Sequence, residues 1–366
     1  MEKKRIEWID IAKGITMLFI INTHFPNQSK LFPWGYAFHV ITFFILSGYL
    51  MGMKQEYRYS PKEILRRKLR GIGYPYVMLS VACCIFTFLY FLVQGHVTLT
   101  LTLVNFELSL CGFGVGTLWF LSTLLVSELL VYWMLRKLPG KSSALAAAGL
   151  TLAGVGLAWY LTKQGMTGAN IEIDFKNVIP KMFPAFLIRT MIAAGAVYFG
   201  FVLEKFLPKQ QPSKYRMGLY VAAVVFVFIY ACVIGPNLQG NDLHYAKITN
   251  PVLYVFGTLF GTAAVILCAF AVEKVPYLSK GLKWIGVNSI IIMTTHYDFK
   301  IVQLVYTGLN KAGLHYENHE IIFGICMFAI ILSIEVLLVN IIQHTPLQYL
   351  FKVPSGKRKR DYKNER

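Results

Sequence analysis

Charge is scarce in this chain, and acidic charge scarcer still: of 366 residues only 15% are Asp, Glu, Lys or Arg, and 18 acidic residues face 36 basic ones. With 56% hydrophobic and 15% aromatic residues and a mean hydropathy of +0.53, this composition excludes a water-soluble globular protein and a disordered one. Cysteine is sparse as well. Cys83, Cys84, Cys111, Cys232, Cys268 and Cys326 show no metal-ligand spacing and read as small apolar packing residues. Long polar stretches are missing: the largest gaps between apolar runs, residues 95–116 and 163–182, are about twenty residues each, too short for a soluble domain. No 20–50-residue repeat is visible, and the first apolar stretch lacks a small-residue cleavage site, so it is expected to stay as a helix. The formal charge of +18 does not indicate nucleic acid, because the basic residues fall in short clusters between apolar segments, where they orient a chain against a membrane.

What is present is a series of apolar runs near spanning length. Ten spans are expected, over residues 9–26, 36–53, 71–94, 117–135, 143–162, 183–203, 217–235, 252–272, 286–308 and 320–343. Placing both termini in the cytoplasm puts 27 basic residues in the inner loops and 6 in the outer ones, as the positive-inside rule requires. The expected fold is all-α, a polytopic bundle over residues 1–352 with a basic cytoplasmic tail at 353–366; the tail's Lys357–Arg360 run suits topology control or anionic lipid.

Within the first run, ten residues separate Lys13 from His24. Eleven steps of about 100° return both side chains to nearly one helix face, roughly 16 Å apart along the axis. One helix thus offers an anion-attracting group toward one membrane surface and a proton acceptor toward the other. Ionisable residues in spans are functional candidates by default.

The second run contains Phe43-Phe44-Ile45-Leu46-Ser47-Gly48, and the loop after it contains Arg66-Arg67-Lys68-Leu69-Arg70. With Lys13 and His24 these elements resemble the acyltransferase 3 family of integral membrane acyltransferases, and within it the fucose 4-O-acetylase-like branch. That pattern is a basic residue, ten spacers and a histidine, then FFxxSG, then an RxxR pair, matched here by Arg67 and Arg70. The resemblance extends to Leu118-Trp119-Phe120-Leu121 and to Asn288-Ser289 through His296. Two positions depart from it: Lys13 stands where many members have arginine, and Leu124 stands where many have the glutamate of W-S-L-x-x-E, with Glu128 one turn later as a substitute.

The resemblance implies transfer of an acyl group, usually acetyl from cytosolic acetyl-CoA, to a hydroxyl of an extracytoplasmic or lipid-linked carbohydrate at the cell membrane. No permanently bound cofactor is expected. Residue chemistry fits such a transfer, because histidine, with a reference pKa of about 6.5, suits general-base removal of an alcohol proton, which makes His24 the candidate base. An acyl-histidine intermediate is the alternative. Coenzyme phosphates cannot enter hydrocarbon cheaply, so Arg67, Arg70 and Lys13 are the candidate donor-binding cations at the inner mouth, and Asp10, one turn before Lys13, a supporting partner.

Other polar residues have plainer readings beside the functional ones. His39 belongs to the outer interface or to the acceptor pocket; Trp119 is an aromatic-belt residue or a sugar platform. His296, clustered with Asp298 and Lys300, either faces an aqueous boundary or lines the acceptor site. Arg189 and Glu128 are deep charges that pair with each other or with lipid headgroups, or orient the catalytic histidine. His315 and His319 have i, i+4 spacing but no third ligand, so no metal site is expected. Gly112, Gly114 and Gly116 fall in an expected external connection; Gly48, Gly154 and Gly156 are sites of close helix approach, Gly48 with the added possibility of leaving room for the donor arm. A carrier or flippase of glycan precursors or acyl compounds and a catalytically silent partner in polysaccharide assembly are the competing function classes.

Overall fold

A computed structural model describes residues 6–25, 38–95, 99–167, 177–207, 216–238, 240–317 and 320–352. The expected basic tail, Lys30, Lys176 and His319 lie outside these residues. Fourteen α-helices are described: α1 Glu7–Thr23, α2 His39–Met53, α3 Pro61–Lys68, α4 Tyr74–Val93, α5 Leu99–Leu110, α6 Trp119–Lys137, α7 Gly140–Lys163, α8 Val178–Leu203, α9 Arg216–Ile229, α10 Pro251–Val272, α11 Pro276–Val287, α12 Ser289–Asp298, α13 Ile301–Lys311 and α14 Glu320–His344. Among the described residues there is no strand, only an isolated bridge between Asp242 and Lys247.

The distribution of side chains is inverted relative to a soluble protein. On α4, Val77, Val81, Ile85 and Leu89 recur every fourth residue and all face outward, whereas Asp10, Glu128, Arg189, His296, Asp298 and Glu335 are buried. Only a hydrocarbon solvent makes that arrangement favourable. Among the described residues seven helical segments are long and apolar enough to cross a membrane: Pro61–Val93, Gly116–Lys137, Gly140–Lys163, Val178–Leu203, Met217–Asn237, Pro251–Val272 and Glu320–His344. The chain is therefore a multi-pass membrane protein. The other three expected spans fall on helices shorter than these: α1 has 17 residues, α2 has 15, and the run at 286–308 is broken between α12 and α13, where Lys300 takes a left-handed φ of 61°.

Local chemistry sets the helix ends. Ser60 accepts from the Glu63 N–H ahead of Pro61, and Asn250 accepts from the Leu253 N–H ahead of Pro251, so α3 and α10 each begin with a side-chain cap and a proline that has no N–H to lose. A π-helical turn, Leu69–Gly73, joins α3 to α4 without ending the helix. Glycine permits the closest helix contacts. A Cβ at Gly48 or Gly200 would strike the backbone of α8 or α2 respectively, and one at Gly14 or Gly286 would strike that of α11 or α1. Gly48 thus serves the α2–α8 packing. Gly154 does the same against Ile192 of α8, whereas Gly156 meets open space.

The segment expected to be an external connection at 95–116 is instead largely α5, which runs back along α4 until Ser109 O accepts from the Tyr76 hydroxyl (2.5 Å) beside the first turn of α4. Gly112, Gly114 and Gly116 consequently sit inside the bundle, between α5 and α6, with Phe186 and Asp298 of other helices close to the first and last of them. Hydropathy does not reveal this, because α5 is only 12 residues long and α5 and α6 are separated by a turn with three positive-φ glycines.

Candidate active site

A cavity of about 430 Å³ runs through the bundle centre, and Lys13, His24 and His39 lie on its wall with Ser47, Trp119, His244 and Tyr297. Helical periodicity alone brings Lys13 and His24 to the same cavity from one helix. His39 enters from the first turn of α2 and is buried.

The hydrogen bonds of His24 define which of its nitrogens carries the proton. On α12, His296 Nδ1 lies 2.7 Å from the Ile292 carbonyl, which only accepts, so this nitrogen is the protonated one and Nε2 of neutral His296 holds a lone pair. That Nε2 lies 3.1 Å from His24 Nδ1, which also lies 2.9 Å from the Ile20 carbonyl. Two acceptors therefore converge on His24 Nδ1–H, and the lone pair of His24 is on Nε2, assigned by the network. Tyr297 packs on the His24 ring at 4.4 Å between centroids. The result is an imidazole held at one nitrogen and basic at the other.

His296 is fully buried beside His24, and Ser289, Ile290, Met293 and Tyr297 of the same helix line the cavity. The structure places His296, expected at the acceptor site, as a hydrogen-bond partner of His24. Glu128 is likewise placed away from that histidine. Its carboxylate accepts from the Ser47 hydroxyl and lies 2.9 Å from Lys68 Nζ, which is also 2.5 Å from Glu56. Asp10 is buried on α1, and its backbone carbonyl lies against Gly286.

Among the described residues Lys13 is the one cation on the cavity wall. Arg67 is exposed, donates Nε and Nη2 to Glu63 Oε1 (3.1 and 2.8 Å), and lies 4.4 Å over the Tyr59 ring; Arg70 is exposed in the π-helical turn. The inward cation of this loop is Lys68. A signal for it exists in the sequence, since it follows the buried Ile64 by four residues and so shares its helix face.

The opposite wall was not anticipated. Arg189 of α8 is fully buried, and it donates Nε to Thr123 Oγ1 (2.9 Å), Nη1 to the His244 carbonyl (2.8 Å) and Nη2 to the carbonyls of Gly112 (2.9 Å) and Phe113 (2.7 Å). Its guanidinium also packs over the rings of Phe113, Trp119 and Phe186 at 4.8, 5.1 and 5.6 Å. The expected pairing of Arg189 with Glu128 or headgroups is thus replaced by four neutral oxygens and an aromatic box. Trp119 is buried there instead of lying in an interfacial belt, stacked on His244 with planes 7° apart. Asp298 closes this wall by accepting from Thr117 N–H (2.9 Å), with the Thr117 hydroxyl 2.7 Å from its second oxygen. A Cβ at Gly116 would collide with that carboxylate, which explains glycine in the turn.

A family model described as an acyltransferase domain, Acyl_transf_3, matches residues 6–340, nearly the whole described chain. No curated protein and no solved structure matches it.

Proposed function

We propose, from the premise that the chain belongs to the Acyl_transf_3 family of acyltransferases, that it moves an acetyl group from acetyl-CoA at the basic end of the bundle to a hydroxyl of a surface carbohydrate or its lipid-linked precursor at the other end. The supporting observation is that His24, whose lone pair is on Nε2, lines the same cavity that Lys13 borders. In this reading ten passes place both termini in the cytoplasm, and the protein resides in the cell membrane.

His24 Nε2 removes the acceptor's hydroxyl proton as its oxygen attacks the thioester carbonyl; the C–O bond forms, the C–S bond breaks, and the proton held on Nε2 passes to the departing coenzyme thiolate. While His24 is cationic, the Ile20 carbonyl and the His296 lone pair stabilise its Nδ1–H, the part a carboxylate takes in hydrolase triads. Arg67, Arg70 and Lys13 hold the coenzyme phosphates at the inner mouth, and the cavity admits the acyl-bearing arm. His39 and Trp119 contact the acceptor.

Purified protein in lipid nanodiscs, given labelled acetyl-CoA and a panel of methyl glycosides, tests this reading: label is expected in an ester on the glycoside. A carrier is the second reading, favoured by the breaks at 111–118 and at Lys300 beside the cavity, since broken helices also build carrier sites. Movement of label across the bilayer without ester formation would identify it.

A further inference from the structure

Residues 240–250, which lead into α10, form an arm held by hydrogen bonds at several points. Asn241 Nδ2 donates to the Leu238 carbonyl (2.8 Å), and its Oδ1 accepts from Thr249 N–H (2.9 Å). Asp242 and Lys247 exchange backbone hydrogen bonds (2.9 and 2.8 Å), and Asp242 Oδ1 accepts from His244 N–H (2.9 Å). Two external anchors fix the arm to the bundle: Thr162 Oγ1 of α7 accepts from Ile248 N–H (3.0 Å), and the Arg189 guanidinium donates to the His244 carbonyl (2.8 Å). Each backbone constraint removes freedom that an ordinary loop retains.

At its tip, His244 borders the cavity that also holds His24. Its ring is fixed by Trp119 on one side (centroids 5.4 Å, planes 7° apart) and by Phe113 and Tyr245 (4.5 Å each). Its Nε2 is buried without a hydrogen-bond partner among the described residues. An orphaned buried nitrogen costs free energy, so its presence on a residue that lines a cavity points to a ligand that restores the bond. Burial, and then the neighbouring Arg189 charge, hold the imidazole well below its ordinary pKa, so it is neutral at neutral pH. A neutral imidazole matches an uncharged hydroxyl, which donates to one nitrogen tautomer and accepts from the other. The adjacent Trp119 also lines the cavity and supplies apolar aromatic surface beside the imidazole, suited to the C–H groups of a sugar.

We propose that His244 is a second substrate-binding histidine, hydrogen-bonding through Nε2 to a hydroxyl of the carbohydrate acceptor that Trp119 supports, with Arg189 as the positioning residue that docks its loop. This assignment rests on the acyltransferase reading above and extends it to acceptor recognition. Of the three cavity histidines, His24 then handles the proton of the reacting hydroxyl, and His244 joins His39 in holding other parts of the same sugar.

Steady-state kinetics with acetyl-CoA and the best methyl glycoside of the panel, on the full chain in nanodiscs, separate these roles. His244→Ala is expected to raise the glycoside KM about tenfold with the acetyl-CoA KM changed less than about twofold, the effect of one lost hydrogen bond to the acceptor. His244→Gln, whose amide nitrogen falls near the lost Nε2, is expected to recover most of the glycoside KM, which also guards against an alanine variant that fails to fold. Equal changes in both KM values, a loss confined to kcat, or no rescue by glutamine would overturn the role of His244 alone. A wild-type protein that acetylates no glycoside would overturn the underlying reading and this one with it.

Discussion

Lys68, half-buried, and Arg189, fully buried, are both inward-turned cations, yet they are compensated in opposite ways. Lys68 sits between two carboxylates, Glu56 and Glu128, and through Glu128 reaches the Ser47 hydroxyl on the cavity wall. Arg189 makes its hydrogen bonds to three backbone carbonyls and a threonine hydroxyl, inside three aromatic rings. The first arrangement ties α2, α3 and α6 together by ion pairing. The second ties two irregular segments, 111–118 and 240–250, to α8, because loop carbonyls buried in a membrane need donors that only a long, forked side chain supplies at once. Ion pairs here join regular helices; the guanidinium, bonded to neutral oxygens, shapes the part of the cavity wall that is not helical.

A variant that touches neither cation sets the scale for the others. His24→Ala is expected to lower kcat/KM by about 10²- to 10⁴-fold, the usual range for a lost general base, with the melting temperature of the detergent-solubilised protein unchanged. Retained turnover would remove His24 from the mechanism. Arg189→Met is expected to cost roughly 3 kcal/mol of stability, since three carbonyls lose their donor together, and to expose the 240–250 arm to proteolysis. An intact arm in that variant would contradict the docking role of the guanidinium.

Lys68→Met should cost less, about 2 kcal/mol, because it leaves Glu56 and Glu128 without their shared cation. That loss is expected to shrink when Glu128→Gln is added, since one carboxylate then remains. Thermal denaturation of the single and double variants checks the sign. The smallest effect is expected from Arg67→Ala with Arg70→Ala, about a tenfold rise in the acetyl-CoA KM with little change in stability, because both side chains are exposed. A KM insensitive to both would shift donor binding to Lys13.

The straight half of the molecule is legible without its structure. Lys13 and His24 reach one cavity because a helix of 17 residues repeats its face regardless of what surrounds it, and the long apolar runs are helices because hydrocarbon leaves the backbone no other partner. The partner of His24 is harder: His296 stands out as an ionisable residue in a span, but whether it faces a substrate or another imidazole depends on how α12 rotates against α1. Trp119 and Arg189 are visible as residue types, yet their neighbours are not. His244 goes unnoticed, because a histidine in a polar connection carries no periodic signal.

Sequence alone determined the membrane class, the family, and the register of the Lys13–His24 pair, all of which depend on composition or on spacings of a few residues. Tertiary structure decided that the glycine-rich turn lies inside the bundle, that Lys68 turns inward while Arg67 turns out, that His296 backs His24, and that His244 meets the cavity. The hydrogen bonds behind the turn, the His244 loop and the histidine pair join residues 55 to 272 positions apart, whose closure depends on the packing of whole helices and on the need of every buried polar group for a partner.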